Sequence, residues 1–124
     1  MSMPRGRYYI GDLCYVFSRA EWVEVCNLTA NGLAVLSGEF TLSDGRRFAM
    51  YSTEYGDGVY YPENGGTCPV DSGTIGCIRI RDIRPDKSRR PPDTVGVIVT
   101  FKRKFETRLD GTFIQFGHVL INTG

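Results

Sequence analysis

Two short segments of this chain combine tyrosines with glycine-aspartate steps in a pattern suited to holding a flat, charged small molecule. The first is Tyr8-Tyr9-Ile10-Gly11-Asp12-Leu13-Cys14-Tyr15 and the second is Tyr55-Gly56-Asp57-Gly58-Val59-Tyr60-Tyr61; with Tyr51 they hold all seven tyrosines. Glycine lets a backbone bend or approach a ligand, aspartate accepts from ribose hydroxyls or amines, and tyrosine stacks on a planar ring. The candidate ligand contacts are Tyr9, Asp12, Tyr15, Tyr55, Asp57 and Tyr60, joined by Asp71, Ser72 and Thr74 of the phrase Val70-Asp71-Ser72-Gly73-Thr74. Arg47 and Arg79 are candidates to neutralise a phosphate on the ligand, with Arg7 and Arg46 as further choices. Taken singly, each segment reads as a turn with strand-end tyrosines covering a core edge. Their recurrence is what raises a site.

Catalytic readings rest on the carboxylates. Asp12, Asp57 and Asp71 are the residues an oxygen-ligated metal phosphodiesterase would use. The phrase Val70–Thr74 also has the form of an aspartic protease active-site motif, in which two aspartates share a proton across a dimer axis. Its placement argues against that use, because only 53 residues follow Asp71 and no glycine-rich flap hairpin is among them. An Asp-Ser-Gly turn is the simpler reading. His118 is the only histidine and stands at the start of a strand-like run, without a recognisable partner for nucleophilic catalysis. No P-loop, GxGxxG or HExxH is present, so no cofactor or metal is implied.

At 124 residues, with 41% hydrophobic and 23% charged residues, the chain is expected to form one globular domain over 1–124. It has no run of about 20 apolar residues and no apolar secretory core near its start, so a cytoplasmic protein without a membrane partner is expected. Four cysteines without a CxxC pair are expected to be reduced thiols, and with a single histidine they argue against a structural zinc site. A net charge of +1 does not suggest general nucleic-acid binding. It conceals an asymmetry: residues 1–78 carry 5 basic and 9 acidic side chains, residues 79–124 carry 10 and 5. A homo-oligomer that places two copies of the site across an interface is compatible with this sequence.

The elements that must position these residues are mostly strands. The pattern predicts an all-β or β-rich α+β fold: an antiparallel barrel-like or sandwich-like sheet with one short helix at about 19–28 packed against it. Arg7 to Phe17 reads as a strand, a bend at Gly11-Asp12 and a second strand. Ser18 and Glu21 form a capping box for the helix, whose apolar face would be Trp22, Val25 and Cys26, and Asn31-Gly32 would close it. A three-residue Ser43-Asp44-Gly45 loop would set Phe40 opposite Phe48. A two-residue Asp110-Gly111 turn would pair Leu109 with Thr112, Thr107 with Ile114 and Phe105 with Phe116, putting Phe105, Ile114 and Phe116 on one face. Val95 to Phe101 suits a central strand, and His118 to Asn122 another. Residues 81–94, rich in proline and arginine, would be an exposed loop.

The phrases YYIGDLCYVF, EYGDGVYY and PVDSGTIGCI, within about residues 8–80, resemble those of a group of short, largely uncharacterised proteins of bacteriophages and bacteria. In that group they take the forms YIGDxCYV, GDGxY and VDSGxIG. The resemblance implies a phage or bacterial origin and, with it, the bacterial host cytosol. It gives no reaction; the residues themselves leave three function classes: a non-enzymatic binder of a phosphate-bearing small molecule, which in a phage would sequester a nucleotide-type host immune signal; a carboxylate-dependent hydrolase; and a protein-interaction module that inhibits a host enzyme or serves the virion.

Overall fold

The computed structural model describes residues 2–31, 34–84 and 90–124. Strands β1 (Ser2–Met3) and β2 (Gly6–Gly11) lead through a 3-10 turn at Leu13–Tyr15 into helix α1 (Arg19–Thr29). Short strands β3 (Ala30–Asn31) and β4 (Ala34–Val35) follow, then the hairpin of β5 (Gly38–Thr41) and β6 (Arg47–Ser52). A small pair, β7 (Gly58–Tyr60) and β8 (Cys68–Val70), precedes β9 (Thr74–Arg79) and a 3-10 turn at Ile80–Asp82. After a second 3-10 turn at Pro92–Thr94 come β10 (Gly96–Phe101), β11 (Phe105–Asp110), β12 (Phe113–Phe116) and β13 (Val119–Asn122).

Two antiparallel sheets carry the fold, one ordered β10-β2-β9-β6-β5 and the other β1-β11-β12-β13. The fold is therefore β-rich and sandwich-like with one short helix, as expected, and it is not a closed barrel. Tyr8, Ile10, Ala49, Ile75 and Cys77 from the five-stranded sheet form one core with Phe105, Ile114, Phe116, Val119 and Ile121 from the other. The opposite face of the same sheet supplies Tyr9, Phe48, Met50 and Ile78 to a second core with Leu13, Phe17 and Val25. With both faces covered, β2, β6 and β9 read as continuous apolar runs and lose the polar alternation of a half-exposed strand.

The helix begins where the capping box places it: Glu21 N donates to Ser18 Oγ at 3.2 Å, and Ser18 N donates to Glu21 Oε1 at 2.7 Å. Its buried stripe is Val25 and Thr29 with Trp22 half-buried, whereas Cys26 is exposed. One residue is a rotation of about 100°, which carries Cys26 off the seam that Trp22, Val25 and Thr29 share. The helix ends at Thr29 with Ala30 already extended, and Asn31 belongs to β3; Gly32 lies outside the described residues.

Three other expectations are corrected. Leu13 to Phe17 is not a second strand, because the Asp12 carboxylate accepts from Cys14 N and turns the chain into the 3-10 conformation. Val95 to Phe101 does not lie at the sheet centre: β10 pairs with β2 alone, at the edge. The last hairpin is shifted by two residues, with Leu109 opposite Ile114, Thr107 opposite Phe116 and Gly111-Thr112 as the turn. A type I′ turn at Asp110-Gly111 needs a positive φ at aspartate, whereas Gly111 alone, at φ +62°, supplies the first position of a II′ turn. A shift of two preserves strand parity, so Phe105, Ile114 and Phe116 still point into the core. The first hairpin forms as predicted, with Phe40 opposite Phe48 and Gly45 at φ +94°. Around the proline-arginine segment, Arg81, Arg84, Arg90 and Pro91 are exposed; residues 85–89 lie outside the described residues. No helix among the described residues is long and apolar enough to cross a membrane.

Arg46 joins three elements. Its guanidinium lies 2.6 Å from Glu21 of α1 and 2.9 Å from Asp44 of the hairpin turn, and donates to the Asp82 carbonyl at 2.9 Å. The Arg46 side chain holds Asp44 down at about 2. Burial pushes Glu21 up, but hydrogen bonds from Ser18 and Arg46 outweigh it and leave the carboxyl below its ordinary 4.5. Carboxyls with depressed values stabilise the fold at neutral pH, and that contribution is lost as pH falls from about 4.5 towards 2. Arg46→Met should cost about 1–2 kcal/mol at pH 7 through its contacts to Glu21 and Asp82. Urea titrations across that acid window should also show a shallower loss of stability than in the wild type.

Candidate functional site

The two tyrosine segments are bridged by the Asp71–Gly73 turn, which Asp12 and Tyr15 hold from one side and Thr53 with Gly56 from the other. Asp12 is fully buried at the end of β2. One carboxylate oxygen accepts from Asp71 N and Ser72 N, each at 2.7 Å, and the other from Ser72 Oγ at 2.8 Å and Cys14 N at 3.0 Å. Ser72 Oγ also shares a hydrogen bond with Thr74 Oγ1 at 2.6 Å. Four donors on one buried carboxylate leave it little capacity to take a ligand.

The remaining candidates of this end sort into buried struts and exposed groups. Tyr9 is buried, with its hydroxyl donating to the carbonyls of Asp12 at 2.9 Å and Val95 at 3.0 Å, and burial pushes its phenol far above the ordinary range. Tyr60 is also buried and donates to the Gly56 carbonyl at 2.8 Å. Thr53 Oγ1 donates to the same carbonyl at 2.6 Å, and its backbone N–H reaches Gly73 O at 3.0 Å, which fixes the Tyr55–Asp57 loop against the Asp71–Gly73 turn. Tyr55 and Asp57 are exposed. Tyr15 donates a short hydrogen bond to Asp71, and the Arg90 guanidinium stands 5.2 Å above its ring. Desolvation, followed by the Asp71 contact, raises the Tyr15 phenol. Asp12, Asp57 and Asp71 do not make a metal cradle: no group of three or more His, Cys, Asp or Glu among the described residues is arranged to hold an ion.

Arg47 and Arg79 are at the other end of the same sheet. Arg79 closes β9 and Thr74 opens it, a separation of about 17 Å at strand rise. The pairing of Phe48 with Ile78 continues one step on to bring Arg47 beside Arg79, and Tyr8 lies opposite Arg79 on the next strand. These three side chains surround a cleft of about 270 Å³ whose walls also include Arg46, Arg81, Asp44 and Asp82. Three donors on the cleft wall hold three carbonyls of the N-terminal strap: Arg47 to Ser2 at 2.7 Å, Tyr8 to Pro4 at 2.6 Å and Arg79 to Arg5 at 2.7 Å. Arg47 is also 3.1 Å from Glu39. Burial holds the Tyr8 phenol up at about 12 against the pull of Arg79 and Arg47, so it keeps its proton at neutral pH. The cleft thus offers positive charge and hydrogen-bond donors.

Sequence reasoning missed Arg81 and Tyr8 as members of this group. Their signal was available only through register, since Tyr8 and Arg79 are distant in the chain and become neighbours across β2 and β9. The chain matches no protein-family model, no curated protein and no solved structure.

A structural Asp12 and an exposed Asp57 make opposite predictions. Asp12→Ala should lose about 3 kcal/mol or more in urea unfolding, because buried N–H donors lose a charged acceptor. Asp57→Ala should stay within about 0.5 kcal/mol of the wild type.

Proposed function

We propose that this protein is a non-catalytic binder of a phosphate-bearing small molecule, held in the arginine cleft at the Arg79 end of the sheet. The observation that carries this reading is the convergence of Arg46, Arg47, Arg79 and Arg81, against two aspartates, on one cleft. Arg79 stands beside Arg47, which is itself paired with Glu39, and an anion shared between the two guanidiniums would offset their repulsion. Guanidinium forks match phosphate oxygens bidentately, while the buried Tyr8 hydroxyl, committed to the Pro4 carbonyl, shapes the wall. Tyrosine and aspartate at the opposite end then act as framework, which relocates the ligand without changing its chemistry. The likeness of the YIGD, GDGVY and VDSGTIG phrases to phage proteins supports nucleotide-type host signals as the first ligands to try.

Pyrophosphate and a nucleotide panel provide the test. At about 100 times its Kd a ligand adds about 2.7 kcal/mol, which for a chain of this size raises Tm by about 10 °C. Arg81→Ala should weaken binding about tenfold or more, and Arg79→Lys should weaken it similarly by replacing the planar fork. Arg81 is exposed, so its removal leaves the fold intact. Flat melting curves across the panel would remove this reading.

The interaction-module reading has one observation of its own. Tyr55 is 75% exposed, Tyr61 65% and Val59 52%, so three large apolar side chains of one loop and strand stand in solvent. Tyrosine is favoured in protein interfaces. Co-purification of a host protein that is lost with Tyr55→Ala and Tyr61→Ala, and retained with Arg81→Ala, is the result this second reading expects.

A further inference from the structure

We propose that the Lys102-Arg103-Lys104 turn is the centre of a docking surface for the phosphate backbone of duplex nucleic acid. Phe101 and Phe105 stack with ring centroids 3.7 Å apart and planes 14° apart, closing the passage from β10 to β11 and hence from one sheet to the other. The three residues between them are all cationic and all exposed. None forms an ion pair with a described residue. They line a depression of about 460 Å³ together with His118, whose ring lies 5.3 Å from that of Phe101.

The positive surface continues across the neighbouring strand. Thr100 and Phe101 of β10 pair with Arg7 and Gly6 of β2, and Arg7, Arg79 and Arg81 line a second depression of about 330 Å³. Neither depression has a carboxylate among its lining residues. The net charge of +1 is therefore an average over a surface on which cations gather at one end. Such clustering on one face is the electrostatic footprint of backbone binding. The phenylalanine rings at this end, Phe101 and Phe105, are buried in the core, and His118, the one exposed ring lining the depression, makes no series of platforms for successive unstacked bases. Phosphate contact without base contact suits a duplex and gives affinity that does not depend on sequence.

The central residues are separate from the arginine cleft, so the two proposals can fail independently. Fluorescence anisotropy with a labelled DNA duplex, using the full chain at about 50–200 mM salt, reads the effect directly. Wild type should bind with log K falling linearly in log salt. K102A/R103A/K104A should weaken binding at least about tenfold at the lowest salt and flatten the slope by about 2.7, at about 0.9 per phosphate contact removed. The same variant should melt like wild type and keep its response to pyrophosphate. If it melts lower, Arg103→Gln alone carries the comparison, with a slope change of about 0.9. Absence of salt-dependent binding, an unchanged slope in the variants, or binding to anionic lipid vesicles without binding to the duplex would overturn the proposal.

Discussion

One buried carboxylate holds the Asp12 end of the molecule in register. Asp12 stands where β2 stops, and its acceptors fix the turn that leads into β9, the strand beside β2 in the sheet. Around that anchor the other phrases are stitched: Tyr15 to Asp71, Thr53 to Gly73 and Gly56, Tyr60 to Gly56. The recurrence of glycine-aspartate steps and tyrosines in segments far apart in sequence has a mutual cause here. Each supplies donors or acceptors that another segment needs. A charged acceptor with four donors in a buried setting is a strong and directional constraint, and a shift of β2 against β9 would break several of these bonds together.

The two ends of the sheet therefore have different chemistry. At the Asp12 end, polar groups are spent on one another and on backbone. At the Arg79 end, β2 has arginine at its second position, β6 begins and β9 finishes with arginine, while β10 runs into the Lys102–Lys104 turn. Antiparallel pairing is what gathers them, because residues that open one strand lie beside residues that close the next. Most of these cations keep free donors after satisfying the strap carbonyls, since a guanidinium carries five N–H groups.

Local chemistry was legible in the sequence and long-range chemistry was not. Ser18 and Glu21 announce the helix start by themselves, and Phe40, Phe48 and Gly45 specify their hairpin within a dozen residues. Gly111 shows the limit: the turn is signalled, but whether Asp110 or Thr112 joins it depends on backbone angles that only glycine adopts there. Strand order lies further out of reach, since the β-branched run of β10 suits a central strand as well as an edge packed against β2 and the core. For the site, the tyrosine and glycine-aspartate pairing was visible as composition. Its resolution into a hydrogen-bonded framework required knowing that Asp12 is buried and that Arg47 and Arg79 sit at the far end.

The pairing of the first strands sets a timetable for assembly. Met3 waits for Phe105, Tyr8 for Arg79 and Tyr9 for Ile98, so β2 has no ladder partner until β9 is made and β1 none until β11 is made. The helix and the β5–β6 hairpin need only their neighbours and can form first. During synthesis the apolar Tyr8-Tyr9-Ile10 segment stays unpaired until β9 is made, an exposed strand edge before it is a core strand. The middle of the sheet thus closes only when β9 arrives, and until then the nascent chain carries its future centre as an adhesive surface.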